Sequence, residues 1–153
     1  MDKRTELNNA LKEAMKAKDE ITVATVRLIN AGIKDRDINA RGSGNTEGIS
    51  DTEILSMMQS MIKQRQESAE TYKGAGRQDL YDRETGEIAV IQRFMPKQMS
   101  EAEVDAAIGT LITELNVKDI KEMGKVMAEL KARYAGQLDM TKASGAIKKR
   151  LAG

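Results

Sequence analysis

One proline, Pro96, occurs in the 153 residues of this chain, and that scarcity constrains the fold more than any other feature. Proline breaks helices because it lacks a backbone N–H and because its ring clashes with the preceding turn. Aromatic residues, which favour strands, are also scarce at 3% of the chain. Straight-chain residues, by contrast, lose little rotamer freedom in a helix. The composition therefore predicts an all-α protein.

Apolar residues recur at helical spacing in successive segments, and capping boxes start two of them, Ser50 with Glu53 and Ser100 with Glu103. The second segment carries apolar residues on two faces, which predicts that neighbouring helices bury it on both sides. The glycine-rich stretch 41–48 predicts a mobile loop. The predicted helices cover about residues 3–18, 20–40, 50–72, 78–95, 101–115, 118–134 and 140–151.

Pro96 also marks the predicted domain boundary. It follows the fourth predicted helix and immediately precedes the second capping box. The length of the chain allows two small domains. We predict a long helical hairpin domain over residues 1–95, a junction over 96–99 and a small three-helix domain over 100–153.

Seven of the ten methionines lie at helical spacing near these apolar stripes, at positions 57, 58, 61, 95, 99, 123 and 127. We interpret them as core side chains, because the flexible thioether fills irregular gaps well. The alternative is an adaptable groove for a partner protein.

The chain contains neither cysteine nor histidine, which excludes disulfides, zinc sites built on those residues and Ser-His or Cys-His catalytic pairs. Acidic residues such as Asp35, Asp37, Glu84 and Glu87 alternate with lysine and arginine. This pattern is typical of solvated helix faces and not of an acid-base pair in a cleft. We therefore predict no catalytic residues, no cofactor and no metal site.

No apolar run approaches the roughly 20 residues that span a bilayer, and the first residues lack the apolar segment of a secretion signal. The absence of cysteine agrees with a reducing compartment. We expect a cytoplasmic protein that has no contact with membranes.

The distribution of charge points to nucleic acid. The first 99 residues carry 16 basic and 16 acidic side chains, whereas residues 118–153 carry nine basic and four acidic ones. Cations that lie off the apolar stripes are placed to contact phosphates. The alternative is an ordinary solvated surface, because the helix macrodipole attracts lysine and arginine to helix C-termini. The candidate cations are Lys121, Lys125, Lys131, Arg133, Lys142, Lys148, Lys149 and Arg150.

Several motifs together resemble one family. The junction FMPKQMSEAEV over residues 94–104, the GKVM of residues 124–127 and the G-x-x-D of residues 136–139 resemble the YqeY-like family. That family is related to the tail of the GatB subunit of glutamine-dependent aspartyl/glutamyl-tRNA amidotransferases. Three earlier segments also resemble it: LKEAMKAKD, VRLINAGIKDRDI and MIKQRQESAETYKGAGRQDL.

The resemblance implies an all-helical protein whose last three helices are similar to the domain with which the amidotransferase tail contacts tRNA. It adds Gly124 to the candidate RNA-binding positions and implies that Asp139 caps the last helix. It also implies an association with carbon-nitrogen ligase activity that uses glutamine as amide donor, but no active site in this chain. Gln137 and Leu138 stand where the family often has arginine and alanine, which removes one cation.

Two functions follow as hypotheses. The first is an accessory protein that binds tRNA through the basic tail. The second is an adaptor that docks on an amidotransferase or a synthetase through its N-terminal helices, with the methionine-rich third helix as the docking surface. A catalytic amide-transfer function is disfavoured, because no activated nucleophile and no phosphate-activating site occur in the sequence.

Overall fold

The computed structural model describes residues 2–152 and contains seven α-helices, with no β-strand in this range. It confirms the all-α class. The described residues group into two compact units that divide between Met95 and Pro96. The helices are α1 (Lys3–Ala17), α2 (Glu20–Gly42), α3 (Asp51–Gly74), α4 (Gln78–Gln92), α5 (Glu101–Glu114), α6 (Met123–Arg133) and α7 (Met140–Ala152), with a 3₁₀ turn (Ile120–Glu122) before α6.

The helix starts follow the predicted caps. The Ser50 hydroxyl accepts a hydrogen bond from the backbone N–H of Glu53, and the Glu53 carboxylate accepts one from the backbone N–H of Ser50. Ser100 and Glu103 form the same reciprocal pair at the start of α5. Asp139 accepts from the N–H groups of the first turn of α7, as the resemblance implied. These bonds satisfy amides that have no partner inside the helix.

Each unit has its own apolar core. The first unit packs α1 to α4 together, and its fully buried side chains include Leu7, Val26, Ile29, Ile54, Met58 and Ile91. The second unit packs α5 to α7 around Ile108, Leu111, Val126, Leu130 and Ile147. The methionines lie in these cores or pack against them, which confirms the interpretation as core: Met57, Met58, Met61 and Met95 in the first unit, and Met99, Met123 and Met127 in the second.

The second helix is buried on one face only, so the prediction of burial on both faces was wrong. Val26, Ile29 and Ile33 lie in the core, whereas the side chains of Ile21 and Leu28 are 41% and 47% exposed. Helices α1, α3 and α4 all contact α2, and together they leave the second apolar face uncovered. An amphipathic pattern reports which faces are apolar, but it does not report how many neighbours are available.

Gly86 lies within a continuous α4, which shows no break at this position. A Cβ built on Gly86 would lie 2.6 Å from Cδ1 of Ile21, so a side chain here would press on α2. The glycine therefore permits close packing of α2 and α4, at a cost of about 1 kcal/mol in helix propensity relative to alanine.

The segment between α2 and α3 makes polar contacts that the sequence did not predict. Helix α2 continues to Gly42, and the side-chain oxygen of Asn45 accepts hydrogen bonds from the backbone N–H groups of Glu47 and Gly48. Ile49 is buried. Polar contacts thus hold parts of a loop whose apolar content is low, and its mobility stays a prediction.

An ion pair holds this loop against the helices. The Arg4 guanidinium donates to both carboxylate oxygens of Asp37 at 2.9 and 2.8 Å, and the backbone N–H of Ile49 donates to Asp37 Oδ1 at 2.9 Å. Gly48 has φ of +94°, and a Cβ there would lie 2.8 Å from both Arg4 and Asp37. Only glycine fits this left-handed position so close to an ion pair.

The Arg4 hydrogen bonds and the Ile49 N–H lower the pKa of Asp37 to about 2. Because the folded pKa lies below the usual value of 3.8, the carboxylate stabilises the folded protein above pH 3.8, and this contribution is lost as pH falls through about 2. We therefore expect Asp37→Asn to be less stable than the wild type at neutral pH, with the difference shrinking between pH 4 and pH 2. Urea unfolding of both proteins across this range measures the effect. A difference that stays constant with pH would contradict it.

Candidate nucleic-acid interface

The exposed side of α6 and of the turn before it presents cations separated by small residues. Val126 and Leu130 point into the core of the second unit, so the opposite side of the helix faces solvent. Positions three or four apart on that side share one face. We call this surface the α6 cationic face, and its exposed residues are Lys121, Gly124, Lys125, Ala128 and Lys131.

Helix α7 has a similar outer surface. Ala143 and Ile147 are buried, and the helix contains four basic residues and no acidic one. The 3₁₀ turn that carries Lys121 contacts both α6 and α7, so the start of the α6 cationic face lies beside α7. We call the outer surface of α7 the α7 cationic face, and its exposed residues are Lys142, Gly145, Lys148 and Lys149.

Both arginines among the candidate cations have partners within the second unit. Arg133 pairs with Glu114 at 2.9 Å and with Glu129 at 3.0 Å, and the hydrogen bond that it donates to the Glu114 carboxylate raises the pKa of Arg133. Arg150 donates to the backbone carbonyl of Asp105 at 2.7 Å. Its guanidinium lies 2.8 Å from where a Cβ of Gly109 would stand. These contacts link α5 to α6 and to α7, so the two arginines stabilise the three-helix bundle.

The lysines have more freedom. Lys125 lies 3.8 Å from Glu122, an exposed pair of the kind that contributes little. The side-chain ammonium groups of the other lysines of the two faces make no ion pair or hydrogen bond with any residue between 2 and 152. These lysines are Lys121, Lys131, Lys142, Lys148 and Lys149. Their charges are therefore not compensated locally, which favours the approach of a polyanion.

The glycines of the two faces have no packing role in the second unit. A Cβ built on Gly124 or on Gly145 would meet nothing within 4 Å, so neither glycine allows two helices of this unit to approach closely. Glycine in a helix interior costs about 1 kcal/mol relative to alanine. Gly145 lies inside α7 and therefore carries this cost with no internal gain, whereas Gly124 is the second residue of α6.

This observation gives a prediction for Gly145. Gly145→Ala should raise the free energy of unfolding by about 1 kcal/mol, because alanine fits the open space and restricts the unfolded chain. Chemical denaturation of the variant and the wild type measures the difference. A loss of stability would show that Gly145 has a packing role that the geometry does not reveal.

Two motifs of the family resemblance meet in the structure. The side-chain amide of Gln98 donates to the backbone carbonyl of Gly136 at 2.7 Å, and the N–H of Met99 donates to the carbonyl of Gln137 at 2.8 Å. Leu138 is buried in the core of the second unit. The two motifs therefore hold the junction against the turn before α7. Sequence reasoning did not find this contact, although both motifs were visible as parts of one resemblance.

The acidic residues do not all lie on solvated faces. Glu87 is only 9% exposed, and its carboxylate pairs with Arg65 at 2.8 Å and with Arg83 at 3.4 Å. Asp37 is half-buried against Arg4. The prediction of solvated carboxylates was wrong for these two residues, because helix packing buried the positions. Each carboxylate is held by arginine in a structural pair.

Within the described range, no three acidic side chains cluster closely enough to hold a metal ion. Every helix of that range is too short or too polar to cross a bilayer.

A sequence model of the family described as Yqey-like protein matches residues 4–151. Curated relatives include altered inheritance of mitochondria protein 41, mitochondrial, from Lachancea thermotolerans, which is 34% identical over 117 residues, or 75% of this chain and 60% of that protein. The proteins of the same name from Saccharomyces cerevisiae and Kluyveromyces lactis are 30% and 28% identical, over 73% and 71% of this chain and 60% and 58% of theirs. The chain thus spans about 60% of the length of these relatives.

Proposed function

The chain belongs to the YqeY-like family, and we propose that it is an accessory RNA-binding protein with tRNA as its ligand. The observation that carries the proposal is the set of exposed lysines without local partners on the α6 and α7 cationic faces. The resemblance of the second unit to the tail of an amidotransferase subunit supports tRNA over other polyanions.

The binding mode follows from the chemistry of these faces. Lysine ammonium groups contact backbone phosphates and release condensed counterions, so affinity falls as salt rises. Glycine and alanine between the lysines keep the surface low, so that a phosphate backbone can lie close to the helix. Phosphate contacts position an RNA without reading its bases. We therefore expect similar affinity for different tRNAs.

The same proposal assigns chemistry to a partner and not to this chain. In it, the chain has no catalytic site, and the carbon-nitrogen ligase activity associated with the family, with glutamine as amide donor, belongs to a tRNA-dependent enzyme acting on the bound RNA. We also propose the cytoplasm as its compartment, whereas the curated relatives carry a mitochondrial designation in their names.

Titration of the purified chain with total tRNA, and with a DNA duplex of equal length, across a salt series tests this function. We expect tighter binding to tRNA than to DNA, with a slope of log affinity against log salt of about −4 if all five free lysines contact phosphates. Binding to neither nucleic acid would overturn the proposal. Equal affinity for tRNA and for the DNA duplex would mean that the two cationic faces bind any polyanion, and it would also contradict the proposal.

A second candidate function is a protein-interaction adaptor, and one observation favours it. The uncovered face of α2 exposes Ile21 and Leu28, which are 41% and 47% exposed. Docking through the methionine-rich α3 is disfavoured, because Met57 and Met58 are buried in the core. Recovery of an amidotransferase or synthetase from a nuclease-treated lysate by the wild type, but not by Leu28→Glu, would support the adaptor. Recovery only in the presence of RNA would contradict it.

A further inference from the structure

A groove of about 290 Å³ lies between α1 and α2 in the first unit, away from both cationic faces along the chain. Its floor and walls include one carboxylate, three cations and two side-chain amides. The apolar side chains of Ile33 and Ile38 complete the lining. The polar lining residues are Arg4, Asn8, Asn30, Lys34, Asp37 and Arg41.

The carboxylate in this groove is not available to a ligand cation. Both oxygens of Asp37 accept from Arg4, and one of them also accepts from the backbone N–H of Ile49. Arg4 donates a further hydrogen bond to the Ile49 carbonyl at 3.1 Å. The Arg4–Asp37 ion pair therefore forms one wall of the groove and adds almost no net charge to it.

The remaining polar groups are free to bind. Lys34 and Arg41 make no ion pair with the described residues, and the side-chain amides of Asn8 and Asn30 have no hydrogen-bond partner among them. Asn30, Lys34 and Arg41 are four and seven residues apart on α2, so they share one face of the helix with Asp37. Counting Arg4 and Asp37 as a neutral pair, the groove carries a net charge of +2 from Lys34 and Arg41.

We propose that this groove binds the dianion of a phosphate monoester. The two free cations match its charge, and the amide N–H groups of Asn8 and Asn30 supply donors from the side chains of both helices. The exposed side chain of Ile38 provides an apolar surface for the organic group of the ester, with the buried Ile33 beneath it. The volume admits a phosphate and a small carbon skeleton, which lies at the lower end for ligand pockets. This site is independent of RNA binding by the second unit.

The source of the phosphate is either a free small molecule or the 5′-terminal phosphate of an RNA, and both present the same chemistry. Nuclear magnetic resonance titration of the full chain can separate them. The probes are inorganic phosphate, glycerol 3-phosphate, a nucleoside monophosphate and short RNAs with either a 5′-phosphate or a 5′-hydroxyl. Ethyl sulfate, an ester of similar shape that carries a single charge, serves as the comparison anion.

We expect saturable shifts of the Asn8 and Asn30 side-chain amides with at least one phosphate monoester, and about tenfold weaker binding of ethyl sulfate. Lys34→Gln and Arg41→Gln should each weaken binding by roughly tenfold, since each removes one charged hydrogen bond. Arg36→Gln is the matched control, because Arg36 is an exposed cation on α2 that does not line the groove. It should bind like the wild type.

Several results would overturn the proposal. These are the absence of saturable shifts with every monoester, equal affinity for the sulfate ester, and equal losses in Arg36→Gln and in the groove variants. Shifts of the Asn8 and Asn30 side-chain amides with the 5′-phosphate RNA but not with the 5′-hydroxyl RNA, at lower concentration than with the free nucleotide, would identify the RNA terminus as the source. Lys34 and Arg41 have no internal partners, so the variants should keep the melting temperature of the wild type, which circular dichroism checks. Loss of tRNA binding by the second unit would leave these outcomes unchanged.

Discussion

Glu87→Ala is expected to lower the free energy of unfolding by about 3 kcal/mol. The Glu87 carboxylate is buried against the Arg65 guanidinium at 2.8 Å, and the two side chains are only 11% and 15% exposed. Removing the carboxylate leaves the Arg65 guanidinium buried without its anion. The ion pair then no longer offsets the free-energy cost of removing this cation from water. Arg83 pairs with the same carboxylate and also loses its partner, but its side chain is 73% exposed, so water compensates that loss. Chemical denaturation measures the loss.

Two further variants make this prediction specific. Glu70→Ala removes an exposed carboxylate from α3, and it should change stability by less than about 0.5 kcal/mol. The double variant Arg65→Met with Glu87→Leu replaces both charges by apolar groups, and it should recover most of the loss. If Glu87→Ala cost no more than Glu70→Ala, the pair would not be desolvated as the structure shows.

The second large effect concerns RNA. Lys142→Glu, Lys148→Glu and Lys149→Glu together should weaken tRNA binding by roughly a hundredfold at low salt and reduce the salt slope by about 2 to 3. The reason is that the triple variant reverses the charges of the α7 cationic face. The loss should be similar for different tRNAs, because phosphates are contacted and not bases. Filter binding or fluorescence anisotropy across a salt series measures affinity and slope together.

A triple variant of equal charge change provides the control. Lys12→Glu, Lys63→Glu and Lys73→Glu reverse the charges of three exposed lysines of the first unit. The control therefore has the same net charge as the triple variant of the α7 cationic face. This control should retain most of the affinity. If both triple variants lost binding equally, the net charge of the chain would account for the effect and the α7 cationic face would not be the site.

The local features of this fold could be read from the sequence, because each depends on residues close together in the chain. The capping box of Ser100 with Glu103 needs three-residue spacing and nothing else. The burial of Met58 follows from its place in an apolar stripe. The helical class follows likewise from composition and periodicity.

The features that escaped prediction depend on tertiary packing. Leu28 is exposed and Glu87 is buried because of where neighbouring helices lie. The spacing of apolar and charged residues along the sequence does not contain that information. The pairing of Arg4 with Asp37 joins residues that are 33 positions apart. In the second unit, the sequence located the cations correctly on exposed helix sides but could not show that Arg133 and Arg150 already have partners.

The bonds of Gln98 and Met99 to the turn at Gly136 and Gln137 affect how the chain should be divided for expression. A fragment beginning at Ser100, the start of the α5 cap, would leave two backbone carbonyls of that turn without their donors. A fragment beginning at Pro96 keeps both. Residues 96–99 are thus part of the second unit, and expression boundaries, fusions and protease sites belong before Pro96.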